Sequence, residues 1–226
     1  MDFKVCRDFL IEEYISGDEF SVEIFMSKGK ALFASVTEKI TTESPSFVEL
    51  GHVVPTSVHT DKVNELVDAS TKAMLAIGLN DGPAHIELRL SPRGPLIIET
   101  NARPGGDQIA RQLLINALGV NVFDATLAFY LDEPVAIKKT KNISSAIAYL
   151  VAKQNGQLQK INGLENVLNN PNVIAHILKF EKKQIVSIPK SSDDRLGYII
   201  VNAPTPQEAK AKAFEIINSI ELEIIS

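Results

Sequence analysis

Cysteine is almost missing from this chain. One thiol, Cys6, in 226 residues excludes an internal disulfide framework and a cysteine-cluster metal site, and it fits a reducing, cytoplasmic setting. Positive charge is not in excess either. Lys and Arg number 23 against 28 Asp and Glu, a net charge of −5, so nothing suggests the basic footprint of a nucleic-acid binder. No apolar run approaches the roughly 18 residues of a membrane span. The opening Met1-Asp2-Phe3-Lys4-Val5-Cys6-Arg7-Asp8 places charges where a signal peptide carries its apolar core. Long repeats and low-complexity tracts are also lacking. The 45% hydrophobic content suffices for one large domain or two small ones.

The richest segment is a hairpin. Ala84-His85-Ile86-Glu87-Leu88-Arg89-Leu90 alternates, Ser91-Pro92-Arg93-Gly94 turns, and Pro95-Leu96-Ile97-Ile98-Glu99-Thr100-Asn101 alternates again. Pro92 suits the second position of a type I turn and Gly94 the left-handed residue after it. The three-residue loop this implies sets Glu87 opposite Glu99 and Leu88 opposite Ile98. Ile86, Leu88, Leu90, Leu96 and Ile98 then form a core face. His85, Glu87, Arg89, Ile97, Glu99 and Asn101 share the other. Like charges opposite one another are unfavourable in a sheet, so a positive group belongs between them. Hard oxygen ligands so spaced suit Mg²⁺ or Mn²⁺. An ordinary solvated face, with Arg89 neutralising both glutamates, is the competing reading. The turn that follows, Asn101-Ala102-Arg103-Pro104-Gly105-Gly106-Asp107, favours the site, because glycines there let backbone approach a ligand closely.

Around the hairpin, residues 9–36 read as a β-meander. A turn falls at Ser16-Gly17-Asp18, Phe20, Val22, Ile24 and Met26 alternate with Ser21, Glu23 and Phe25, and a second turn falls at Ser27-Lys28-Gly29-Lys30. Residues 38–56 are polar and predict an irregular functional loop ending in Glu49-Leu50-Gly51-His52-Val53-Val54-Pro55. From Thr60, an expected N-cap, the period turns helical through Val63, Leu66, Val67, Met74 and Ile77 to a stop at Gly78. Helices are expected near 107–118 and 122–131. The chain then divides into units of 1–136 and 143–226 at a basic, polar run. The second unit reads as strand (144–152), short helix (164–168), strands (173–180, 184–187, 196–202), helix and a last strand (222–225). Thr205, Pro206 and Glu208 give the long helix a capping-box start. The order approximates a split βαβ sandwich. No convergent polar set is visible in it, so its expected role is structural, or that of a lid.

Three segments in order resemble the ATP-grasp superfamily over about residues 8–135. Residues 9–23 resemble the strand and turn of the adenine hinge and ribose-binding acid, Glu87 with Glu99 and Asn101 the metal set, and 101–106 the turn whose arginine faces the reacting phosphate. Within it the chain is similar to carboxylate–amine ligases of the L-amino acid ligase and biotin-carboxylase-like type, on Glu49 to Pro55, the Arg103 to Asp107 turn and the extra C-terminal unit. The resemblance implies an α+β fold, the C-terminal half of an ATP-grasp fold (an antiparallel sheet with helices) plus a small α+β unit. It implies ATP and Mg²⁺ (or Mn²⁺) as cofactors. Glu12 would accept from the adenine amino group, the backbone of Glu13 and the side chain of Ile15 would line the base, and Glu19 would hold the ribose. Glu87, Glu99 and Asn101 would bind the metal, Arg103 would stabilise an acyl-phosphate, and His52, Gly105 and Gly106 would lie on the substrate side. The implied partners are small-molecule carboxylate and amine substrates and a missing N-terminal half, with a homodimer left open and neither nucleic acid nor membrane. Only about eight residues precede the hinge, with no glycine-rich, lysine-bearing lid among them. The chain is therefore expected to be an expressed piece, a proteolytic fragment or a split subunit, inactive alone. A non-catalytic nucleotide- or metabolite-binding module and an interaction module completing another polypeptide are the alternatives.

Overall fold

The computed structural model describes residues 9–178, 180–181 and 183–225. Its main element is one antiparallel sheet of eight strands. The strands concerned are β1 (Asp18–Ser27), β2 (Lys30–Thr41), β3 (Glu49–Val54), β4 (Gly82–Ser91), β5 (Gly94–Asn101), β6 (Ser144–Leu150), β8 (Val173–Leu178) and β10 (Gly197–Ala203). They run in the order β5-β4-β1-β2-β3-β6-β10-β8. Three others, β7 (Gly156–Asn162), β9 (Ile185–Val186) and β11 (Glu221–Ile225), form a smaller sheet ordered β11-β7-β9. The two expected units share the large sheet, because β3 pairs with β6, Gly51 opposite Ala148 and His52 opposite Ile147. The C-terminal unit is therefore not a separate split βαβ sheet; β7 escapes the sequence reading and draws β9 and β11 into a second layer.

Alternation sorts the sheet into faces. Phe20, Val22, Ile24 and Met26 of β1 and Ile86 and Leu88 of β4 are buried against Leu66 and Met74 of α1 (Thr60–Ala76). Burying a side chain of that size contributes about 1.5–3 kcal/mol. On the same face farther along, Val53, Ala148, Ile199 and Val201 pack on Ala209, Ala213, Ile216 and Ile217 of α5 (Pro206–Asn218). Thr205 caps α5 by accepting from the Glu208 amide. A third core joins Phe25, Phe33, Ile147 and Tyr149 to Ile109, Leu113 and Leu114. These last residues span a π-helical turn (Ile109–Leu113) and α2 (Leu114–Leu118); α3 (Val122–Tyr130) and α4 (Leu164–Leu168) are the remaining helices. Among the described residues no single helix is long and apolar enough to cross a membrane.

Several local expectations need correction. Residues 12–15 have no regular structure. The supposed loop 38–56 is mostly strand: β2 runs to Thr41 and β3 begins at Glu49, leaving 42–48 irregular. Its polar residues mislead because Lys39 and His52 are buried. The N-cap of α1 is His59, not Thr60, and Ile77 is exposed past the helix end. In the hairpin Ser91 pairs with Gly94, and Gly94 has φ 97°. Glu87 does face Glu99, but Leu88 faces Ile97, because a bulge inserts Ile98 rather than a longer loop. Ile98 is consequently exposed instead of buried in the core.

Candidate functional site

On the face of β1, β2, β3 and β4 away from α1, alternation places charged side chains side by side. Lys39 Nζ lies 2.7 Å from Glu19 Oε1, 2.6 Å from Glu87 Oε2 and 3.7 Å from Glu49 Oε1, with 3% of its side chain exposed. Burial opposes its charge, but Glu87 and Glu19 outweigh burial and raise its pKa. His85 Nδ1 sits 2.5 Å from Glu23 Oε1 and its Nε2 3.2 Å from Glu87 Oε1. Against burial, these hydrogen bonds raise His85 to about 9. Glu87 is correspondingly lowered to about 2, its desolvation outweighed by His85 and Lys39. The positive partners of Glu87 are thus Lys39 and His85. Arg89 instead donates to Glu19 from Nε (3.2 Å) and Nη2 (2.9 Å).

Arg89 also positions the irregular 12–15 segment. It donates to the Tyr14 hydroxyl (3.0 Å) and the Ile15 carbonyl (2.9 Å), and its guanidinium lies 5.3 and 5.1 Å from the ring centroids of Tyr14 and Phe47. A cavity of about 560 Å³ opens beside this segment, walled by Glu12, Glu13, Tyr14, Ile15, Ile97 and Ile98, with Glu19, Lys39 and Glu87 also lining it. Glu12 and Glu13 are exposed, and Glu13 accepts from Arg93 (2.7 Å).

A second cavity, about 210 Å³, shares Lys39, Glu49 and Glu87 with the first and is lined further by His52, Arg103, Gly106, Asp107, Ser192 and Arg195. His52 Nε2 lies 3.2 Å from Asp107 Oδ2, while its buried Nδ1 has no partner among the described residues. Arg195 donates to both Asp107 oxygens, at 2.7 and 3.0 Å. These bonds hold the Asp107 carboxyl below the usual carboxylate range although burial works against it. Arg103 is exposed and donates to the Pro104 carbonyl (3.0 Å). Gly105 donates its amide to Glu23 Oε2 (2.9 Å), and a Cβ on it would lie 2.6 Å from both Glu23 oxygens. What the glycine admits is this buried carboxylate. Gly106 has open space around it.

The expected metal ligands meet in part. Glu87 and Glu99 are cross-strand partners, and Asn101 Nδ2 donates to Glu99 Oε1 (2.9 Å). Both Glu87 oxygens already accept, from Lys39 and His85. Among the described residues no group of three or more His, Cys, Asp or Glu is arranged to hold a metal ion. The donors are nonetheless all hard oxygens, and a carboxylate offers about four lone-pair sites, so the set fits Mg²⁺ chemically. Sequence reasoning set His85 on the carboxylate face and quoted Glu49 and Asp107 within motifs but gave none of them a role, and it gave none to Glu23 or Lys39, nor to Ser192 and Arg195 in the unit read as lacking convergent polar groups. Polar residues at alternate strand positions were an available signal for Glu23 and His85. Arg195 carries no local signal.

Residues 2–112 match the family model described as an ATP-grasp domain, and residues 148–224 that of L-amino acid ligase C-terminal domain 2. An uncharacterized protein of Sinorhizobium fredii is 25% identical over 219 residues, covering 96% of this chain and 44% of that protein. Human carnosine synthase 1 is 31% identical over 118 residues, 52% of this chain and 14% of that protein. Among solved structures, the L-amino acid ligase from Bacillus licheniformis superposes with a TM-score of 0.81 at 23% identity, covering 94% of this chain and 53% of that one. The biotin carboxylase domain of the Hydrogenobacter thermophilus 2-oxoglutarate carboxylase, solved with MgADP and bicarbonate, gives 0.64 at 14% identity over 95% of this chain and 48% of that one. The chain spans about half the length, or less, of these relatives. The chain thus carries an ATP-grasp domain match on its N-terminal side and an L-amino acid ligase domain match on its C-terminal side, on an α+β fold like that of the solved ligase.

Proposed function

We propose that this chain is the C-terminal part of an ATP-dependent carboxylate–amine ligase of amino-acid type, which works through an acyl-phosphate and releases ADP. The observation that carries the reading is the pair of cavities meeting at Lys39, Glu49 and Glu87. The larger has the apolar Ile15, Ile97 and Ile98 to receive a base, with Glu12 and Glu13 on its wall and Glu19 for the ribose. The smaller carries Arg103, His52, Asp107 and Arg195, charges suited to a carboxylate and an amine. Glu87, Glu99 and Asn101 would hold Mg²⁺ (or Mn²⁺), which when bound neutralises polyphosphate charge. A substrate carboxylate oxygen attacks the γ-phosphorus, the bond to the β–γ bridging oxygen breaks, and ADP leaves with the electron pair. The amine nitrogen then attacks the acyl carbon, the carbon–oxygen bond breaks, inorganic phosphate leaves, and the nitrogen loses a proton. Arg103 stands to stabilise the charge on the transferred phosphoryl group, and removing such a fixed donor costs about 10²–10³ in rate. Gly105 and Gly106 keep that turn free of side chains. The reading includes a cytoplasmic location.

The test is amino-acid-dependent ADP release by the longest natural polypeptide that contains this chain. Glu99→Gln and Arg103→Ala are expected to abolish it. Residues 1–226 alone are expected to bind ATP weakly without turnover; brisk ADP formation by them would overturn the fragment reading. A second reading, a nucleotide- or metabolite-binding module without turnover, is favoured by Lys39, whose ammonium already pairs with both Glu19 and Glu87. Nucleotide affinity indifferent to Mg²⁺, with no ADP from the longer protein, would support it.

A further inference from the structure

The C-terminal unit reaches the small cavity through a short loop ahead of β10. Ser191 begins a 3₁₀ turn (Ser192–Asp194) with a reciprocal capping box, and Asp194 Oδ2 accepts from the amides of Lys190 (2.8 Å) and Ser191 (3.0 Å). That turn supports two side chains aimed at the ATP-grasp part. Ser192 Oγ donates to Glu49 Oε2 (2.7 Å), and Arg195 grips Asp107 bidentately. Arg195 is itself held in place. Its Nε donates to the Ser192 carbonyl (2.9 Å) and its guanidinium lies 4.0 Å from the Tyr149 ring centroid.

The receiving segment is strained. Asp107 has φ 46° and Gln108 φ 64°, a left-handed conformation that L-residues other than glycine rarely adopt in succession. The chain then enters a π-helical turn, with Leu113 N donating to Gln108 O (3.0 Å). Such a conformation persists only where its surroundings over-determine it. Here both carboxylate oxygens of Asp107 are held by Arg195, and the Tyr149 hydroxyl donates to the Asp107 carbonyl (3.3 Å). The other end of the turn is held where Gly105 meets buried Glu23. Arg103 stands two residues ahead of the Gly105 anchor, an exposed side chain bonded to the neighbouring Pro104 carbonyl and lining the small cavity.

We propose that Arg195 is a positioning residue for Arg103: from the C-terminal unit it acts through Asp107 to hold the glycine-rich turn in the strained form that presents Arg103 to the small cavity. The part concerning catalysis rests on the ligase reading above; the part concerning the turn does not.

Two measurements on wild type, Arg195→Ala, Arg195→Lys, Asp107→Asn and the Arg195→Ala/Asp107→Asn double variant test it. The first is amide hydrogen exchange in the whole 226-residue chain. Exchange at Gly105, Gly106, Asp107 and Gln108 is expected to quicken about tenfold in Arg195→Ala and in Asp107→Asn, no further in the double variant, with α1 and β1 unchanged. The second is ADP release by the longer polypeptide. Arg195→Ala is expected to lower kcat about 10–100-fold with little change in the KM for ATP, Arg195→Lys to recover part of the loss, and the double variant to equal the worse single one. Unchanged exchange over 105–108 would overturn the proposal. So would losses that multiply in the double variant, since they would mean that Arg195 acts on substrate independently of Asp107. Absence of ADP release from the wild-type protein would instead count against the ligase reading, and the exchange result would still decide the role of Arg195.

Discussion

Gly105 and Gly106 are adjacent and chemically identical, yet alanine at the two positions is expected to have opposite consequences. A Cβ at 105 would stand 2.6 Å from both oxygens of Glu23, a side chain 97% buried that also receives His85. Neither group has room to retreat. The turn must lift away, and the Gly105 amide then loses its 2.9 Å bond to the carboxylate. A hydrogen bond to a charged group is worth about 1.5–3 kcal/mol, and an extra carbon forced into packed surroundings costs about 1–3 kcal/mol. The reduced freedom of the unfolded chain returns about 0.4–1 kcal/mol. A net loss of about 3 kcal/mol follows, equivalent to a melting temperature lower by about 6–12 °C in a protein of this size. At Gly106 a Cβ meets nothing within 4 Å among the described residues, so only the unfolded-state gain operates and stability should hold or rise slightly. Urea and thermal unfolding of the two variants decide the matter. Glu23→Ala should remove most of the penalty at 105, because the obstructing carboxylate is gone. Equal damage at both positions, or a penalty at 105 that survives Glu23→Ala, would refute the reasoning.

Three further outcomes are expected. Lys39→Met should destabilise by about 3 kcal/mol in urea unfolding, at the low end for a broken buried pair because Glu19 keeps Arg89 and Glu87 keeps His85. The lowered pKa of Asp107 adds stability that is complete above its unfolded value of about 3.9 and disappears as pH falls through the folded value. The advantage of wild type over Asp107→Asn, read from urea midpoints, should therefore be flat between about pH 5 and 7 and shrink below about pH 4. Thr205→Ala should cost about 1 kcal/mol and Thr205→Ser much less, as the hydroxyl accepts the Glu208 amide at the start of α5.

What sequence discloses and what it hides divide along a physical line. Local signals work where Pro206 and Thr205 start α5 and where alternation assigns the α1-facing core of β1, whereas Glu87 meets Glu99 as expected but through a bulge and not through the loop that turn chemistry suggests. The last case shows how far such signals reach. A longer loop at Gly94 and a bulge at Ile98 each add one residue to β5 before Glu99, so both give the same carboxylate pair. They differ in where Ile98 points, and only the bulge turns it from the core to the cavity beside residues 12–15. Lys39 is harder, because Glu-Lys-Ile-Thr-Thr-Glu reads as a solvated loop when polarity is equated with exposure. Its charge is buried on partners 20 and 48 residues away, which only the register of β1, β2 and β4 brings together. Arg195 is 88 residues from Asp107 and enters from a segment with no periodic signature. A lone arginine after two aspartates looks like surface, and it becomes informative only when the strained backbone of Asp107 is seen to need a counterpart. The types of residue in part of this candidate site are thus readable from spacing within single hairpins and turns. Its charge balance is not, because the pairs that set it, His85–Glu87 apart, span strands or units, and the cost of leaving one member unpaired appears only after the sheet has closed around it.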